Sequence, residues 1–508
     1  MKTQIIKIIF LAVIFLPIVS FGQDEIEISG KGNQTHTYSN NNGVSSTELE
    51  YRGKIIFTDD ETDVKYISPG GFLKFSKKSF GNRRTILLEG EAQGKISREY
   101  REGSKKLPFE PDGRKWMASV LPEIIRTTGI GAKERIAKFY KKGGIDAVLE
   151  EISSLPTNYV QRIYYSAAFN TPGLSTGDYV KLIEDAGDEI SSSYELSKIL
   201  ITNSDIISKN NKTIAATIEV TRDISSSYEQ SKVYKHYLTK SNLSEANKGL
   251  IIQAVREISS SYEQSKVLVA LLKNDISEEN INLVVEEASN IGSSYEQSKV
   301  LQYLISNQST DDLDLELLIK AVSDISSSYE QGRVLKQLVA DKDLSPEQVQ
   351  EVAKAAKFIS SDYEQSKFLQ AIISKQELDE VGINSILKMT EELSSSYEKS
   401  KVLQMIIASE NFDNSNFSAI IEQTEKVNSS YEQSKILSKI IAHDNMSDKH
   451  MLELIAAIED VSSSYERSKL LLSLASQLPD TKEVRDAFLE AAESLSDSEY
   501  GKVMRAAH

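Results

Sequence analysis

The phrase Ser-Ser-Tyr-Glu-Gln-Ser-Lys-Val-Leu returns along the chain with small changes, and this regularity constrains the fold more than any other feature. Its tyrosine falls at Tyr194, Tyr228, Tyr262, Tyr295, Tyr329, Tyr363, Tyr397, Tyr431 and Tyr465, at spacings of 34 residues with a single 33. A unit of that length cannot bury its own apolar face, so successive units must stack and share one continuous core. Weaker copies around Tyr159 and Tyr500 lie 35 residues outside each end and supply the atypical terminal units that such an array needs.

Each unit reads as a helical hairpin. The first helix starts at a Ser or Thr two residues before the tyrosine, from Thr157 through Ser498, with Glu three residues later in the full copies, the pattern of a capping box. Counting from the tyrosine, apolar residues follow at +5, +6, +9 and +10, as in Val267, Leu268, Leu271 and Leu272, and share one face. The second helix is clearest at Leu344-Ser345-Pro346-Glu347-Gln348, with Ser as N-cap, Pro at the first helical position and Gln closing another box. Its buried face is Ile281, Val284, Val285, Ala288 and Ile291 in the copy that follows Tyr262. The repeat length equals that of tetratricopeptide proteins, but their Trp and Gly-Tyr pattern is missing, so the likeness extends to a tetratricopeptide- or HEAT-like shape.

Within the phrase, position +3 is always small, Ser in eight copies and Gly332 in the ninth, as close helix approach requires. Glu at +1 and Lys or Arg at +4 lie three apart and can pair locally for ~0.2–0.5 kcal/mol. Gln at +2, as in Gln264, Gln297 and Gln331, lies nearer the dry face and is expected to bond the backbone of an adjoining turn. The tyrosine lies well off the apolar stripe. Two readings follow: the ring packs against the adjacent repeat, which is the expectation, or it forms an aromatic row open to a ligand.

The amino-terminal part differs. Lys2 and Lys7 precede an apolar run at 8–19, and Ser20-Phe21-Gly22 offers small residues at a cleavage site, so 1–22 reads as a signal peptide cleaved near Gly22. The run is shorter than the ~20 residues needed to span a bilayer. The expected product is extracytoplasmic, periplasmic or secreted, with no membrane span after cleavage. Residues 23–110 form a small antiparallel β domain by their short alternating runs at 48–57, 64–67, 71–75, 84–88 and 94–100, with a loose polar segment at 30–46. Residues 111–156 form a helical connector and N-terminal cap, and the helical stretch 114–127 is the nearest cover for the sheet. Residues 157–508 form the α-solenoid of about ten hairpins. The fold class is therefore α+β, a small sheet domain followed by a long all-α array.

Composition closes several functional classes. The chain has no Cys, which excludes disulfides, thiolate metal sites and cysteine nucleophiles together. A net charge of −16 argues against a nucleic-acid partner, since phosphate binding needs clustered cations. Zinc-protease, nucleophile-elbow, phosphate-loop and dinucleotide motifs are absent. His443 and His450 form the nearest pair of histidines and read as surface residues. No catalytic, cofactor or metal residue is assigned, and no cofactor is expected.

The segments Pro69-Gly70-Gly71-Phe72-Leu73-Lys74, Ser97-Arg98-Glu99-Tyr100, Pro108-Phe109-Glu110-Pro111, 116–129 and Gly143-Gly144-Ile145-Asp146-Ala147-Val148-Leu149, followed by the Ser-Tyr-Glu repeats, carry a resemblance. They resemble the extracytoplasmic module appended to membrane metallopeptidases of the β-lactam-sensor type and found in free-standing exported bacterial proteins. The peptidase half, with its membrane helices and zinc motif, is missing, so no catalytic residue carries over. The expected role is a non-catalytic scaffold or sensor binding a protein or cell-envelope polymer along the helical surface. The alternative is an envelope enzyme with a carboxylate site where the sheet meets the first helices, near 112–126.

Overall fold

The computed structural model describes residues 35–41, 45–309, 313–410, 412, 415–443 and 446–507. The expected signal peptide at 1–22 lies outside the described residues. The fold is α+β, a small antiparallel sheet domain followed by an all-helical repeat array. Among the described residues, no helix is long and apolar enough to cross a membrane.

Among the described residues there are eight strands: β1 (Thr35–Asn41), β2 (Ser45–Arg52), β3 (Ile55–Phe57), β4 (Val64–Ile67), β5 (Phe72–Ser79), β6 (Asn82–Gly90), β7 (Ile96–Glu102) and β8 (Lys105–Leu107). Six form one antiparallel sheet in the order β1-β2-β5-β6-β7-β8, and β3–β4 is a separate hairpin inserted between β2 and β5. Register places Leu49 opposite Phe75, Phe75 opposite Ile86 and Ile86 opposite Tyr100, a buried row across four strands. The first helix, α1 (Arg114–Thr128), lays Met117, Val120, Leu121, Ile124 and Ile125 onto that row. Trp116 sits 5.6 Å from the Phe75 ring and 5.8 Å from Tyr100. Burying such side chains is worth ~1.5–3 kcal/mol each, which binds α1 to the sheet. The opposite face stays wet, with Lys74 paired to Glu50 at 3.1 Å and Lys106 to Glu99 at 2.7 Å.

Three details depart from expectation. The polar segment at 30–46 contains β1, because ladder bonds to β2 organise the backbone without needing apolar side chains. The run 48–57 breaks at Gly53, whose φ of 85° only glycine adopts readily, so it serves two sheets. The compact unit that contains the sheet extends beyond 156, to Asp178, and takes in 188–195. Helices α2 (Ala132–Ser153) and α3 (Asn158–Phe169) pack together within it. Arg135 of α2 is buried there between Glu151 and Glu61, beside Phe139 and Tyr164. Burial pushes the Tyr164 hydroxyl up to about 12.

Among the described residues, helix follows helix from Asn158 to Glu493, and a last helix, Asp497–Ala507, ends the series. In the second compact unit one core runs unbroken from Ile214 to Val503. Val267, Leu268, Leu271 and Leu272 are buried in it, as are Ile281, Val284, Val285, Ala288 and Ile291 of the partner helix. The expected caps form: Ser260 accepts from the Glu263 amide at 3.4 Å, and the serines before Tyr228, Tyr295, Tyr329, Tyr363, Tyr397, Tyr431 and Tyr465 do the same for theirs. The last copy differs, since its helix begins at Asp497 and places Ser498 inside the first turn. Gln at +2 donates to a backbone carbonyl of the preceding helix's end, Gln230 to Arg222 at 2.9 Å and Gln297 to Ser289 at 3.0 Å.

The glutamate at +1 does not complete its own box. The reciprocal arrangement forms at Ser345 and Gln348, whereas in the tyrosine helices the glutamate is buried and turned toward the preceding repeat. Ser197 donates to Glu229, Ser231 to Glu263, Ser265 to Glu296 and Ser298 to Glu330. These +3 serines are wholly inaccessible. At Gly332 the bond is missing, and Glu364 takes Lys336 at 2.9 Å instead.

Two substitutions test this linkage. Ser265→Ala removes a donor from a buried carboxylate and should cost ~1–3 kcal/mol in denaturant unfolding. Gly332→Ser should gain ~0.5 kcal/mol from helix propensity, because the added Cβ is tight only against the movable carboxylate end of Glu364, at 3.0 Å, and makes ordinary contact with its Cβ at 3.5 Å. A Gly332→Ser chain that unfolds more easily than the parent would contradict the ladder.

Candidate functional site

The tyrosine is the second residue of its helix, as Ser261-Tyr262 shows. Side chains there tilt toward the helix N-terminus, and the contact with the neighbouring repeat is already filled by Glu at +1 and Ser at +3. The ring is consequently left outside. Tyr194, Tyr228, Tyr262, Tyr295, Tyr329, Tyr363, Tyr397, Tyr431 and Tyr465 are all exposed, between 49% and 69%. This corrects the expectation that the row packs between repeats.

At Tyr228, Tyr262, Tyr329, Tyr363, Tyr397 and Tyr431 the ring meets the cation one turn along. Lys266 Nζ lies 4.6 Å from the Tyr262 ring centre, and the Lys299 Nζ of the next repeat lies 5.5 Å from the same ring. Tyr397 stands likewise between Lys401 at 4.1 Å and Lys435 at 5.7 Å. Lys232, Arg333 and Lys367 approach Tyr228, Tyr329 and Tyr363 at 5.8–5.9 Å. Each contact is worth ~0.5–1 kcal/mol at an exposed site.

The same cations are tied from below by the buried glutamates. Lys232 pairs with Glu229 at 3.0 Å, Lys266 with Glu263 at 3.3 Å, Lys299 with Glu296 at 3.2 Å, Arg333 with Glu330 at 3.0 Å and Lys435 with Glu432 at 3.2 Å. A hydrogen bond with Tyr397, helped by the Glu398 carboxylate, holds the Lys401 ammonium above the ordinary lysine value. The local i,i+3 pairing expected from sequence is thus present, as one side of a bridge linking serine, glutamate, cation and ring. Sequence reasoning weighed the tyrosine and the lysine separately; their shared spacing of four residues is the signal that joins them.

Three carboxylates around α1, those of Asp63, Glu110 and Glu123, are engaged in ion pairs. Asp63 binds Arg98 at 2.9 Å and also Arg114, Glu110 binds Arg114 at 2.7 Å, and Glu123 binds Lys77 at 2.7 Å. Burial alone would raise the Asp63 carboxyl, and the two guanidiniums with the Val64 amide outweigh it and hold it below the usual range. That arrangement suits structural pairing rather than proton donation near neutrality. The histidines read as surface residues are not: half-buried His443 bonds the Ile407 carbonyl at 2.8 Å and meets Phe412 edge-on, and His450 is buried and stacks on Phe417 at 4.3 Å. Among the described residues, no group of three or more metal-ligating side chains is gathered.

No family model matches the chain, and no curated protein matches it. Solved structures that it resembles are of low identity. A chain from a homology model of the full-length AP-3 complex in an intermediate open conformation is 11% identical, covers 75% of this chain and 90% of its own length, and gives a TM-score of 0.27. A circular tandem repeat protein with novel repeat topology is 13% identical over 78% of this chain and 90% of its own, at 0.18. A chain from a computational design of self-assembling cyclic homooligomers is 16% identical over 66% and 97%, at 0.11. Likeness at this level carries no statement about activity or partner.

Because the rings are half-exposed, their removal should barely affect stability. Tyr329→Ala is expected to cost less than ~1 kcal/mol, and the triple variant Tyr329→Ala/Tyr363→Ala/Tyr397→Ala should shift the melting temperature by only a few degrees. Thermal melts followed by circular dichroism check this, and a loss of ~3 kcal/mol or more for the single change would restore the packing role.

Proposed function

We propose that the chain is a non-catalytic, exported scaffold that holds a partner protein along its tyrosine–cation row. The observation that carries this reading is the contrast between positions within the repeat. Tyr at 0 and Lys or Arg at +4 are exposed or half-exposed and the same in all nine copies, whereas the half-buried +7 position changes freely, from Lys235 to Val269, Gln302 and Ser438. An exposed ring has little packing reason to be kept so uniformly. Aromatic and cationic side chains also dominate the energetics of binding surfaces, because they offer large contact area together with directed charge.

Export is supported by the apolar run and small residues before Gln23, and the envelope setting by the resemblance to the module of β-lactam-sensor-type metallopeptidases. An envelope polymer is the alternative occupant within the same reading, since exposed rings also suit flat, weakly charged surfaces. The enzyme reading draws no support from the paired acids near 112–126. A purely structural ladder is favoured by one observation, the sharing of Tyr262 and Tyr397 between cations of two repeats.

One experiment separates these. The chain and its Tyr329→Ala/Tyr363→Ala/Tyr397→Ala variant are immobilised and exposed to envelope extract of the native host, and retained proteins and glycans are identified in parallel. A specific protein retained by the parent and depleted at least tenfold by the variant, with unchanged melting, is the expected outcome. Equal retention by both would remove the row from binding, and a glycan in place of a protein would decide for the polymer. Intact mass of the exported protein should begin at Gln23.

A further inference from the structure

The row is uniform, but the surface beside it is not. Over the repeats of Tyr228, Tyr262 and Tyr295 the helices Ser227–Lys240, Ser261–Leu271 and Ser294–Asn307 leave a groove of about 580 Å3. Four ammonium groups line it, Lys235, Lys266, Lys273 and Lys299, and Leu238, Val269 and Ala270 supply its apolar part. The sequence explains why it opens here. At +7 the two flanking repeats carry Lys235 and Gln302, while this one carries Val269, followed by Ala270 at +8, so no long polar side chain fills the space between them.

The charge is not cancelled locally. Glu263 lies beneath Lys266 at 3.3 Å and near Lys235 at 3.8 Å, and Glu296 lies 3.2 Å from Lys299, so two carboxylates face four cations. Both carboxylates are buried and already accept from Ser231 and Ser265. Lys273 is exposed and has no carboxylate partner among the described residues. Burial first, and the neighbouring Lys266 ammonium second, hold Lys235 below the ordinary lysine value, while the Glu263 carboxylate helps to hold Lys266 above it. In a chain of net charge −16, a recess with two surplus positive charges and an apolar floor is a marked local reversal.

We propose that this groove is the anchoring site for an acidic, apolar-containing peptide segment of the partner protein, its carboxylates on Lys235, Lys266, Lys273 and Lys299 and an apolar side chain on Val269 and Ala270. The inference rests on the scaffold reading and adds to it where along the row the partner is anchored and by what chemistry. The size suits a few side chains, being within the ~300–1,000 Å3 of ordinary ligand recesses. A fully hydrophilic polyanion would satisfy the lysines and leave the floor unused. An uncharged apolar ligand would strand the ammonium groups against it. A peptide alternating Glu with Leu satisfies both, and two of the lining cations, Lys266 and Lys299, also flank the Tyr262 ring and so join the groove to the row.

Fluorescence anisotropy of the full chain with a labelled eight-residue peptide alternating Glu and Leu tests the assignment. Binding should weaken about tenfold or more when Gln replaces Glu in the peptide, and again between low and high salt, as surface charge contacts do. Lys273→Gln should weaken it several-fold, and Ala270→Gln, which refills the floor without altering charge, should do so as well. Lys482→Gln, an exposed lysine outside both the row and the groove, should leave it unchanged. Equal binding of the Glu and Gln peptides, or equal loss with Lys482→Gln, would overturn the groove assignment. Because the peptide assay does not involve the native partner, the groove can fail while loss of capture in the tyrosine variant stands, and the reverse result is equally readable. Inorganic phosphate or a short polyglutamate competing as well as the Glu-Leu peptide would also overturn it, by showing a general anion site with no use for the floor.

Discussion

A buried glutamate between successive helices is the constraint on which the surface of this array depends. Helices of neighbouring repeats approach closely because position +3 is Ser or Gly, and the space so created is occupied by the +1 carboxylate of the next repeat. An unpaired carboxylate in that position would cost several kcal/mol, so it must collect donors from whatever lies within reach. It finds a serine hydroxyl on one side and the +4 ammonium of its own helix on the other. Pinning the ammonium there also sets it beside the tyrosine ring four residues earlier in the helix. The exposed row is therefore the outer end of a chain of contacts that begins in the dry interior.

The contact is not identical in every repeat, and the differences follow the same logic. Where Gly332 removes the hydroxyl, Glu364 turns to Lys336. Further along, Ser366 donates instead to the Glu398 carbonyl at 3.4 Å, and Ser400 accepts from Gln404 at 2.7 Å. Stability in such an array is a sum over units and interfaces, so each junction can vary without propagating.

Much of this was open to inspection in the sequence, and the reasons are physical. A 34-residue period, caps such as Ser260 and Ser345, and the apolar positions around Val267 and Ile281 are local signals that one helix or one turn carries by itself. The cover of the sheet by α1 was legible because Met117, Val120, Leu121 and Ile124 share a face next in line to alternating strands. What was not legible depends on contacts between segments far apart. The strand at Thr35–Asn41 is held by its ladder to β2 and not by its own composition. Glu263 looks like the closing member of its own capping box, and only the neighbouring Ser231 shows that it serves another repeat. The tyrosine was assigned to packing because a stacked helix needs a second flank, yet Glu and Ser already fill that flank.

The fixed inner ladder has a consequence for how such a surface acquires specificity. Positions +1 and +4 are tied to each other, since a change at +1 leaves a cation without its partner and a change at +4 takes a donor from a buried carboxylate, whereas +3 accepts Gly332 because Glu364 finds Lys336. Position +7 bears no such burden: Lys235, Val269, Gln302, Lys336, Gln370, Gln404 and Ser438 occupy it in successive repeats, all half-buried. Adjacent copies lie ~8–10 Å apart across the helix packing, close enough for one extended ligand to touch several. Uniform rings and cations can supply general adhesion along the row, while the identity of the +7 residues sets where a recess opens and what charge surrounds it. The groove over Val269 is the place where those two layers of the repeat coincide, with small side chains between Lys235 on one helix and Lys299 on another.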